Sequence, residues 1–331
     1  MNEGTLSTYS SGVPDQFVCE HIGSVGLKMV PFAQSVLFRV VSLVLCVVNG
    51  LFCPVTVVGN LLVFAAVLRK AELRNVANTS ILCLAFTDLM VGFFVQPSYI
   101  IYQASKLTAA QGNFPCDQLL IYSFSGVTCI CMSFLTLIFI SLERYLAVFY
   151  PYRYIEKVNS KRVVAVAVIV WGISIAILLA VRFSFGINSN EETAVISLII
   201  ITNFVVTSVV YIKVFRLVKR CNAQVNAEMS RNTLTSENES HSQMHSNSRE
   251  AKASKTVAFI AGTLFLCFMP TLCATIVDQA GLARKDMLYH VIYPIAETAV
   301  LLNSCINPVI YVWRSHGIRR SLLELLRICK L

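Results

Sequence analysis

The stretch VVSLVLCVVNGLFCPVTVVGNLLVFAAVL, residues 40–68, contains no Asp, Glu, Lys or Arg. It is longer than the roughly 20 apolar residues that a helix needs to cross the hydrocarbon core of a bilayer. The whole chain has a similar bias, since 56% of its 331 residues are hydrophobic and only 14% are charged. In soluble domains, about a quarter of the residues are charged. The stretch therefore predicts a membrane-spanning helix of an integral membrane protein.

Six further stretches are almost as poor in charge, and two of them hold one acid each, Asp88 and Glu297. With the first, they predict seven spans, at residues 38–68, 75–104, 117–149, 162–182, 194–219, 252–279 and 287–313. The predicted fold class is therefore all-α: a seven-transmembrane-helix bundle, followed by a short amphipathic cytoplasmic helix.

Basic residues are distributed unequally between the two sides of the predicted bundle. Three loops and the carboxyl-terminal tail, all on one side, hold 20 of the 27 Lys and Arg residues. The opposite side holds six, which are Lys28, Arg39, Lys106, Arg182, Arg284 and Lys285. Because Lys and Arg favour the cytoplasmic side, the amino terminus is predicted to lie outside. The net charge of +9 reflects this bias, so no nucleic-acid partner is expected.

Three segments follow from these spans. They are an extracellular amino-terminal segment at 1–37, a seven-span domain at 38–313, and a cytoplasmic amphipathic helix with its tail at 314–331. Residues 221–250 are predicted to form a flexible cytoplasmic loop, because this stretch is rich in Ser, Asn and Glu. Four apolar residues of the tail share one helical face and are expected to lie along the inner leaflet: Ile318, Leu322, Leu325 and Leu326.

Polar residues deep inside a bilayer are costly and usually functional. Asp88 lies in the middle of the second predicted span, and four residues are expected at a similar depth: Ser133, Asn303, Ser304 and Asn307. One carboxylate with several neutral oxygens is a plausible cage for a small hard cation, most simply sodium. The alternative is a single acid that neighbouring helices satisfy by hydrogen bonds. Pro270 and Pro308 loosen the sixth and seventh helices beside this core, which favours elements with two arrangements.

Seven short motifs, in order along the spans, resemble those of the rhodopsin-like (class A) G protein-coupled receptors. They are Gly59-Asn60, Leu84-Ala85 with Asp88, Glu143-Arg144-Tyr145, Trp171, Tyr211, Cys267-Phe268 with Pro270, and Asn307-Pro308 with Tyr311. Each motif alone is weak, but seven in the right order on the predicted helices form a specific signal. The resemblance covers nearly the whole chain and implies a plasma-membrane, multi-pass protein.

The resemblance implies a function and a set of switch residues. The protein is expected to bind an extracellular ligand and to activate a heterotrimeric G protein through rearrangement of helices 6 and 7. Arg144 is expected to be held by Glu143 and by Glu250, and to be released on activation as Tyr211 and Tyr311 turn inward. The full expected switch is Glu143, Arg144, Tyr145, Glu250, Tyr211, Asn307, Pro308 and Tyr311. Asp88, Ser133, Asn303, Ser304 and Asn307 match the sodium pocket of the family, whose ion is allosteric.

The resemblance also places a ligand pocket at the outer end of the bundle. Its expected residues are Gln96, Tyr99, Tyr122, Ser123, Gly126, Val127, Phe268, Thr271, Thr275, Tyr293 and Glu297. Gly126 stands where biogenic-amine receptors carry an aspartate, and Glu297 is predicted to be the only charged group near the pocket's depth. Glu297 either meets a cationic group of a ligand or is paired with water or a tyrosine. The candidate ligands are a peptide, a lipid, a nucleoside or a small amine.

Several positions depart from the family pattern. Phe268 replaces the usual tryptophan, Asn203 the usual proline and Leu264 the usual phenylalanine. The side-chain contacts that connect the ligand pocket to helix 6 in the family are therefore expected to differ in this protein. The second extracellular loop is very short and has no cysteine, and helix 5 lacks the usual proline. In these features the chain resembles the melanocortin, cannabinoid, lysophospholipid and adenosine receptor group.

Two cysteines are predicted to lie on the oxidising side, Cys19 and Cys116. They either form a disulfide or remain two free thiols, while Cys329 is a candidate for palmitoylation on the cytoplasmic side. Arrestin and a receptor kinase are further candidate partners, through the third cytoplasmic loop.

Two other classes of protein were compared with the receptor. A seven-helix transporter or channel is the alternative, although the outer halves of helices 3 to 5 offer little polar path. A membrane hydrolase would need several His and acidic metal ligands within the spans. The five histidines all fall in loops or at span ends. No enzymatic activity and no required cofactor are therefore expected.

Overall fold

The computed structural model describes most of the bundle. The described residues are 17–19, 27–29, 35–108, 116–185, 195, 197–199, 201–202, 205–206, 208–210, 212–213, 216, 259, 262–263, 265–278 and 280–328. The predicted residues Asn203, Tyr211, Glu250, Leu264 and Cys329 lie outside this part of the chain, as does the whole of loop 221–250.

Long helices follow one another along the chain. The first span is Val36–Arg69, the second is Val76–Met90 and Gln96–Thr108 joined by a π-helical turn at Val91–Val95, the third is Cys116–Phe149, and the fourth is Ser160–Phe185. The seventh span consists of Lys285–Met287, a π-helical turn at Leu288–Ile292, and Tyr293–Arg314. The described residues between 195 and 216 are helical, and so are the described residues between 259 and 278.

Short elements connect or precede these helices. They are the 3-10 turn Ala71–Leu73, the helix Pro151–Lys157, the tail helix His316–Ile328, and two strands, β1 (Phe17–Cys19) and β2 (Leu27–Met29). The strands pair antiparallel, with Val18 opposite Lys28.

Five of the described helices are long and apolar enough to cross a membrane. They are Val36–Arg69, Val76–Leu107, Cys116–Ala147, Ser160–Ser184 and Lys285–Arg314, and a shorter apolar helix covers Phe265–Asp278. Much of the fifth and sixth predicted spans falls outside the described residues. The prediction of an all-α transmembrane bundle is confirmed, and the hairpin β1–β2 is an addition that the sequence did not predict.

The second span is longer than predicted. It begins where the Asn75 side chain accepts a hydrogen bond of 2.9 Å from the Asn78 amide, which caps the helix. It continues to Thr108, beyond the predicted end at 104. Lys106, expected in an extracellular loop, is therefore helical and only 2% exposed. That expectation was wrong, because a long side chain can lie back against its own helix and neighbouring rings.

The tail helix packs on the bundle. Ile318 and Leu322 are buried and join a core cluster with Val63 and Tyr311, and the Ser321 hydroxyl donates a 2.9 Å hydrogen bond to the carbonyl oxygen of Ala66. The amphipathic helix predicted after the seventh span is present. These two residues of its apolar face meet protein rather than lipid, because the groove between the first and seventh spans offers apolar surface at the same level.

Candidate functional site

The inner end of the third span holds a buried ion pair. Glu143 is 3% exposed and Arg144 is 4% exposed. The Arg144 Nε donates a 3.2 Å hydrogen bond to Glu143 Oε2, and the Arg144 Nη2 donates to Glu143 Oε1. A buried pair is retained only when further hydrogen bonds satisfy the charges. The predicted contact between these neighbours is therefore present in the structure.

Two residues that sequence reasoning missed complete this pair. The Ser80 hydroxyl donates a 3.0 Å hydrogen bond to Glu143 Oε2, and the Tyr154 hydroxyl donates a 2.5 Å hydrogen bond to Glu143 Oε1. Arg144 also lies 3.5 Å from the Tyr154 oxygen. Ser80 comes from the second span and Tyr154 from the short helix after the third span. The only available signal was their position near predicted cytoplasmic ends.

The other described switch residues are placed as follows. The Tyr145 ring stacks on Phe149 with centroids 4.6 Å apart, and Lys213 Nζ lies 5.5 Å from its centroid. Tyr311 is fully buried in the core cluster, and Pro308 packs close to Gly59 of the first span. The contact predicted between Arg144 and Glu250 stays a prediction, because Glu250 is outside the described residues.

A polar core lies midway through the bundle. The Asn307 Nδ2 donates a 2.8 Å hydrogen bond to Asp88 Oδ2, and the Ser304 side chain lies close to the same carboxylate. The Asn60 Nδ2 donates a 3.1 Å hydrogen bond to the Ser304 carbonyl oxygen. The Ser133 hydroxyl, by contrast, donates to Thr87 at 3.2 Å. The structure thus brings Asp88, Ser304 and Asn307 together and points Ser133 to another partner.

Four oxygens of this core have no hydrogen-bond partner among the described protein atoms. They are Asp88 Oδ1, Asn60 Oδ1, Asn303 Oδ1 and Asn307 Oδ1, all fully buried. A buried polar atom without a partner costs about 1–3 kcal/mol. A cluster of a carboxylate oxygen and amide oxygens is the donor set of a hard cation. The residues present therefore fit a sodium ion.

The outer pocket is built around three tyrosines. The Tyr122 ring of the third span lies 5.0 Å from the Tyr99 ring and 5.9 Å, nearly parallel, from the Tyr102 ring. Glu297 of the seventh span is half-buried, and its carboxylate lies close to the Tyr122 hydroxyl. The second, third and seventh spans thus place a carboxylate beside a group of aromatic rings.

A polar network holds this pocket to the first span. The Tyr99 hydroxyl donates a 2.8 Å hydrogen bond to the Pro294 carbonyl oxygen and accepts one of 3.2 Å from the Thr298 hydroxyl. The Asn49 Nδ2 donates to the same Thr298 hydroxyl at 3.1 Å. Gln96 is fully buried in the same region, with neither amide atom hydrogen-bonded within the described chain.

Two buried cations lie at the outer end of the bundle. Sequence reasoning had placed Lys106 in a loop and Arg182 at the outer end of the fourth span. Lys106 Nζ lies 4.9 Å from the Tyr102 ring centroid and within electrostatic range of Glu297. Arg182 Nη2 donates hydrogen bonds to the Ser123 carbonyl oxygen at 3.0 Å and to its hydroxyl at 3.2 Å. The prediction that Glu297 is the only charged group near the pocket's depth was therefore wrong.

The remaining predicted pocket residues separate into two sets. Phe268 is 4% exposed and packs edge-on against Phe134, with centroids 4.5 Å apart, so it belongs to the core rather than to an open pocket wall. A Cβ added at Gly126 would make ordinary contacts with Val95 and Tyr122 at 3.6 and 3.7 Å. Four others are partly accessible: Val127, Thr271, Thr275 and Tyr293.

Of the two cysteines predicted on the oxidising side, the structure describes the side chain of Cys116. Cys116 is disulfide-bonded, while the other eight cysteines with described side chains form no disulfide. The side chain of Cys19 lies outside the described part. The pairing of Cys19 with Cys116 stays a prediction.

The comparisons with known proteins identify the class. The family model of the 7 transmembrane receptor (rhodopsin family) matches residues 59–311, and the chain belongs to this family. The histamine H2 receptor of Homo sapiens is 29% identical over 304 residues, which cover 86% of this chain and 79% of that receptor. The alpha-1A adrenergic receptor of Bos taurus is 28% identical over 325 residues, which cover 87% of this chain and 68% of that receptor.

A third relative is the alpha-1A adrenergic receptor of Oryzias latipes, 26% identical over 322 residues that cover 87% of this chain and 67% of that receptor. The chain is thus a multi-pass plasma-membrane receptor of class A that binds an extracellular ligand and couples to a G protein. Nothing in the fold or in these relatives supports a transporter or channel. The subgroup resemblance stays a prediction.

Proposed function

We propose that this receptor recognises a small ligand that carries an ammonium group, with Glu297 as its counter-ion. The observation that carries the proposal is the position of Glu297 against Tyr122, beside the rings of Tyr99 and Tyr102. A carboxylate with several aromatic faces is a favourable site for an organic cation. The relatives named for histamine and for adrenergic ligands also point to amines.

Gly126 explains why a different acid is needed. The third span offers no carboxylate at that position, where amine receptors carry one. Glu297 approaches the same space from the seventh span, because its partner Tyr122 lies one helical turn before Gly126. A half-buried carboxylate interacts more favourably with a cationic group of a ligand than with a neutral one. This difference favours an amine over a neutral lipid or nucleoside.

The experiment tests Glu297 directly. The purified receptor in lipid nanodiscs is titrated with histamine and with choline, and the thermal unfolding temperature is followed. Glu297→Gln is expected to weaken the stabilisation by at least about tenfold in concentration, because a charge pair is lost while the shape is kept. Asp278→Asn is the matched control, since Asp278 is a second acid near the outer rim that bonds Tyr289 and Lys285. Equal titrations for Glu297→Gln and the wild type would contradict the proposal.

We also propose that the polar core holds an allosteric sodium ion. Asp88 would supply the charge, with amide oxygens of Asn303 and Asn307 and the hydroxyl of Ser304 as further ligands. When bound, the ion would neutralise the carboxylate and tie the second span to the seventh. The Ser133 hydroxyl is the weaker candidate because it donates to Thr87.

A third proposal concerns cytoplasmic partners. Arrestin and a receptor kinase would act through loop 221–250, whose many Ser residues can be phosphorylated. A phosphorylated loop would offer charges that basic surfaces of a partner recognise.

A further inference from the structure

A continuous line of contacts joins a buried lysine to the proposed counter-ion. Lys106 Nζ lies over the Tyr102 ring at 4.9 Å. That ring stacks on Tyr122 at an interplanar angle of 9°, and the Tyr122 hydroxyl lies close to the Glu297 carboxylate. Lys106 and Glu297 also attract each other electrostatically. A cation of the protein itself therefore lies at one end of the aromatic group, with the carboxylate at the other.

These are the features that an ammonium ligand would use. The face of a tyrosine ring attracts any ammonium group within about 6 Å of its centroid, and Glu297 attracts either cation. We infer that Lys106 is a built-in competitor, which occupies the cation-binding side of the pocket until a ligand's ammonium group displaces it. The inference rests on the proposed function, and it adds how that same site is regulated.

The position of Lys106 makes such a displacement feasible. Its residue is in the last turn of the second span, which ends at Thr108. One turn deeper, Gln103 is fixed by a 3.2 Å hydrogen bond from the Ser42 hydroxyl, so the helix below is anchored. A lysine has a long flexible stem and readily places its head at the membrane surface. The side chain can therefore move outward without unfolding the helix.

The burial of Lys106 also explains the chemistry that it selects. An ammonium group 2% exposed to solvent is retained only with compensating contacts. To displace the lysine, the ammonium group of a ligand must interact with Tyr102 and Glu297 at least as strongly as Lys106 does. Neutral or anionic compounds lack this charge and leave Lys106 in place. The site therefore selects compact ammonium compounds.

The test removes the lysine charge and keeps its stem. In Lys106→Met, histamine and choline are expected to stabilise the receptor at about tenfold lower concentration, because a competing internal state no longer reduces the apparent affinity. Lys106→Arg keeps a cation and is expected to titrate within about threefold of the wild type, well short of that gain. Lys285→Met is the matched control, since Lys285 lies at the outer end of the seventh span with 66% of its side chain exposed. It is expected to behave as the wild type.

A second background separates the two proposals. In Glu297→Gln, the further change Lys106→Met is expected to give less than the tenfold gain, since the acid for which both cations compete is absent. If Lys106→Met does not fold, Lys106→Gln is titrated in its place. Unchanged titrations in Lys106→Met, with a loss in Glu297→Gln, would overturn the competitor and leave the proposed function standing. If neither compound stabilises any variant, both proposals are wrong.

Discussion

At the scale of single residues, Glu143 explains how an arginine is kept inside the protein. Its two oxygens accept hydrogen bonds from Arg144, Ser80 and Tyr154. Hydrogen bonds to a charged group contribute more than neutral ones, about 1.5–3 kcal/mol each. Arg144 is therefore held by an acceptor that two other elements fix in place, and the strength of this hold depends on each donor.

The first prediction removes one donor. Tyr154→Phe keeps the ring and deletes the hydroxyl, so Arg144 is held less strongly and ligand-independent G-protein activation is expected to rise about fivefold. Nucleotide exchange on a purified G protein measures it. Tyr152→Phe is the control, because Tyr152 is 89% exposed two residues earlier. Equal basal exchange in both variants would show that the hydroxyl does not restrain the switch.

At the scale of elements, the tail helix is fastened to the bundle by apolar packing and by one ion-pair cluster. Ile318 is fully buried, whereas Glu324 forms exposed contacts with Lys70 at 2.8 Å and Arg320 at 3.3 Å. The hydrogen bond from Lys70 lowers the pKa of Glu324. The contribution of this contact is therefore present above the ordinary carboxyl pKa and is lost as pH falls through the lowered value. Apolar packing has no such pH dependence.

The second prediction tests the apolar packing. Ile318→Ala is expected to cost about 2–5 kcal/mol of packing and to lower the unfolding temperature, because it leaves a cavity in the core. Leu323 lies on the same helix and is 53% exposed, so Leu323→Ala is expected to change the unfolding temperature little. Differential scanning fluorimetry compares them, and equal shifts would place the helix away from the bundle.

A second contact between elements joins the sixth and seventh spans at their inner ends. The Phe259 ring meets Trp313 edge-on with centroids 5.2 Å apart, and the Arg314 guanidinium lies 5.4 Å from the Phe259 centroid. Aromatic and cation–π contacts of this kind contribute about 0.5–1.5 kcal/mol each. They favour the arrangement in which these two spans are close.

The third prediction concerns this contact. Phe259→Ala removes both interactions of the ring, so the arrangement with the two spans close together loses about 1–2 kcal/mol. Separation of the spans becomes easier, and basal G-protein activation is therefore expected to rise severalfold. Leu266→Ala, on an exposed face of the same span, is the control. A live-cell assay of G-protein dissociation measures both, and a fall in basal activity after Phe259→Ala would contradict it.

At the scale of the whole molecule, the polar core connects three spans. Asn60 of the first span bonds the backbone of the seventh, and Asn307 of the seventh bonds Asp88 of the second. The outer network from Asn49 through Thr298 to Tyr99 repeats this connection nearer the pocket. Both networks join the same three spans, so a substitution in either network alters contacts among all three.

The fourth prediction tests the proposed ion. Raising NaCl in place of KCl at constant ionic strength is expected to increase the thermal stability of the wild type, because the ion binds the folded state. Asp88→Asn is expected to abolish the increase, since the carboxylate is lost. An equal gain in NaCl for wild type and Asp88→Asn would rule out this site.

Much of the molecule could be predicted from local sequence. Each span is recognisable from its own composition, because the bilayer excludes charge whatever the neighbours are. The distribution of Lys and Arg predicts the orientation in the same way. The motifs around Asp88, Arg144 and Asn307 predicted the receptor class and the polar core, since each residue lies within a span that the sequence identifies by itself.

Only the tertiary structure decided which side chains meet. Lys106 and Arg182 were expected to be outer charges, yet both are buried. Lys106 lies over the Tyr102 ring of its own span, and Arg182 bonds Ser123 of the third span. Tyr154, for which the sequence predicted no contact, bonds Glu143 across a turn. The apolar face of the tail helix read as a lipid contact, and Ile318 packs on protein. Such contacts depend on how side chains pack in three dimensions, so composition and spacing fix the spans, while packing fixes the site.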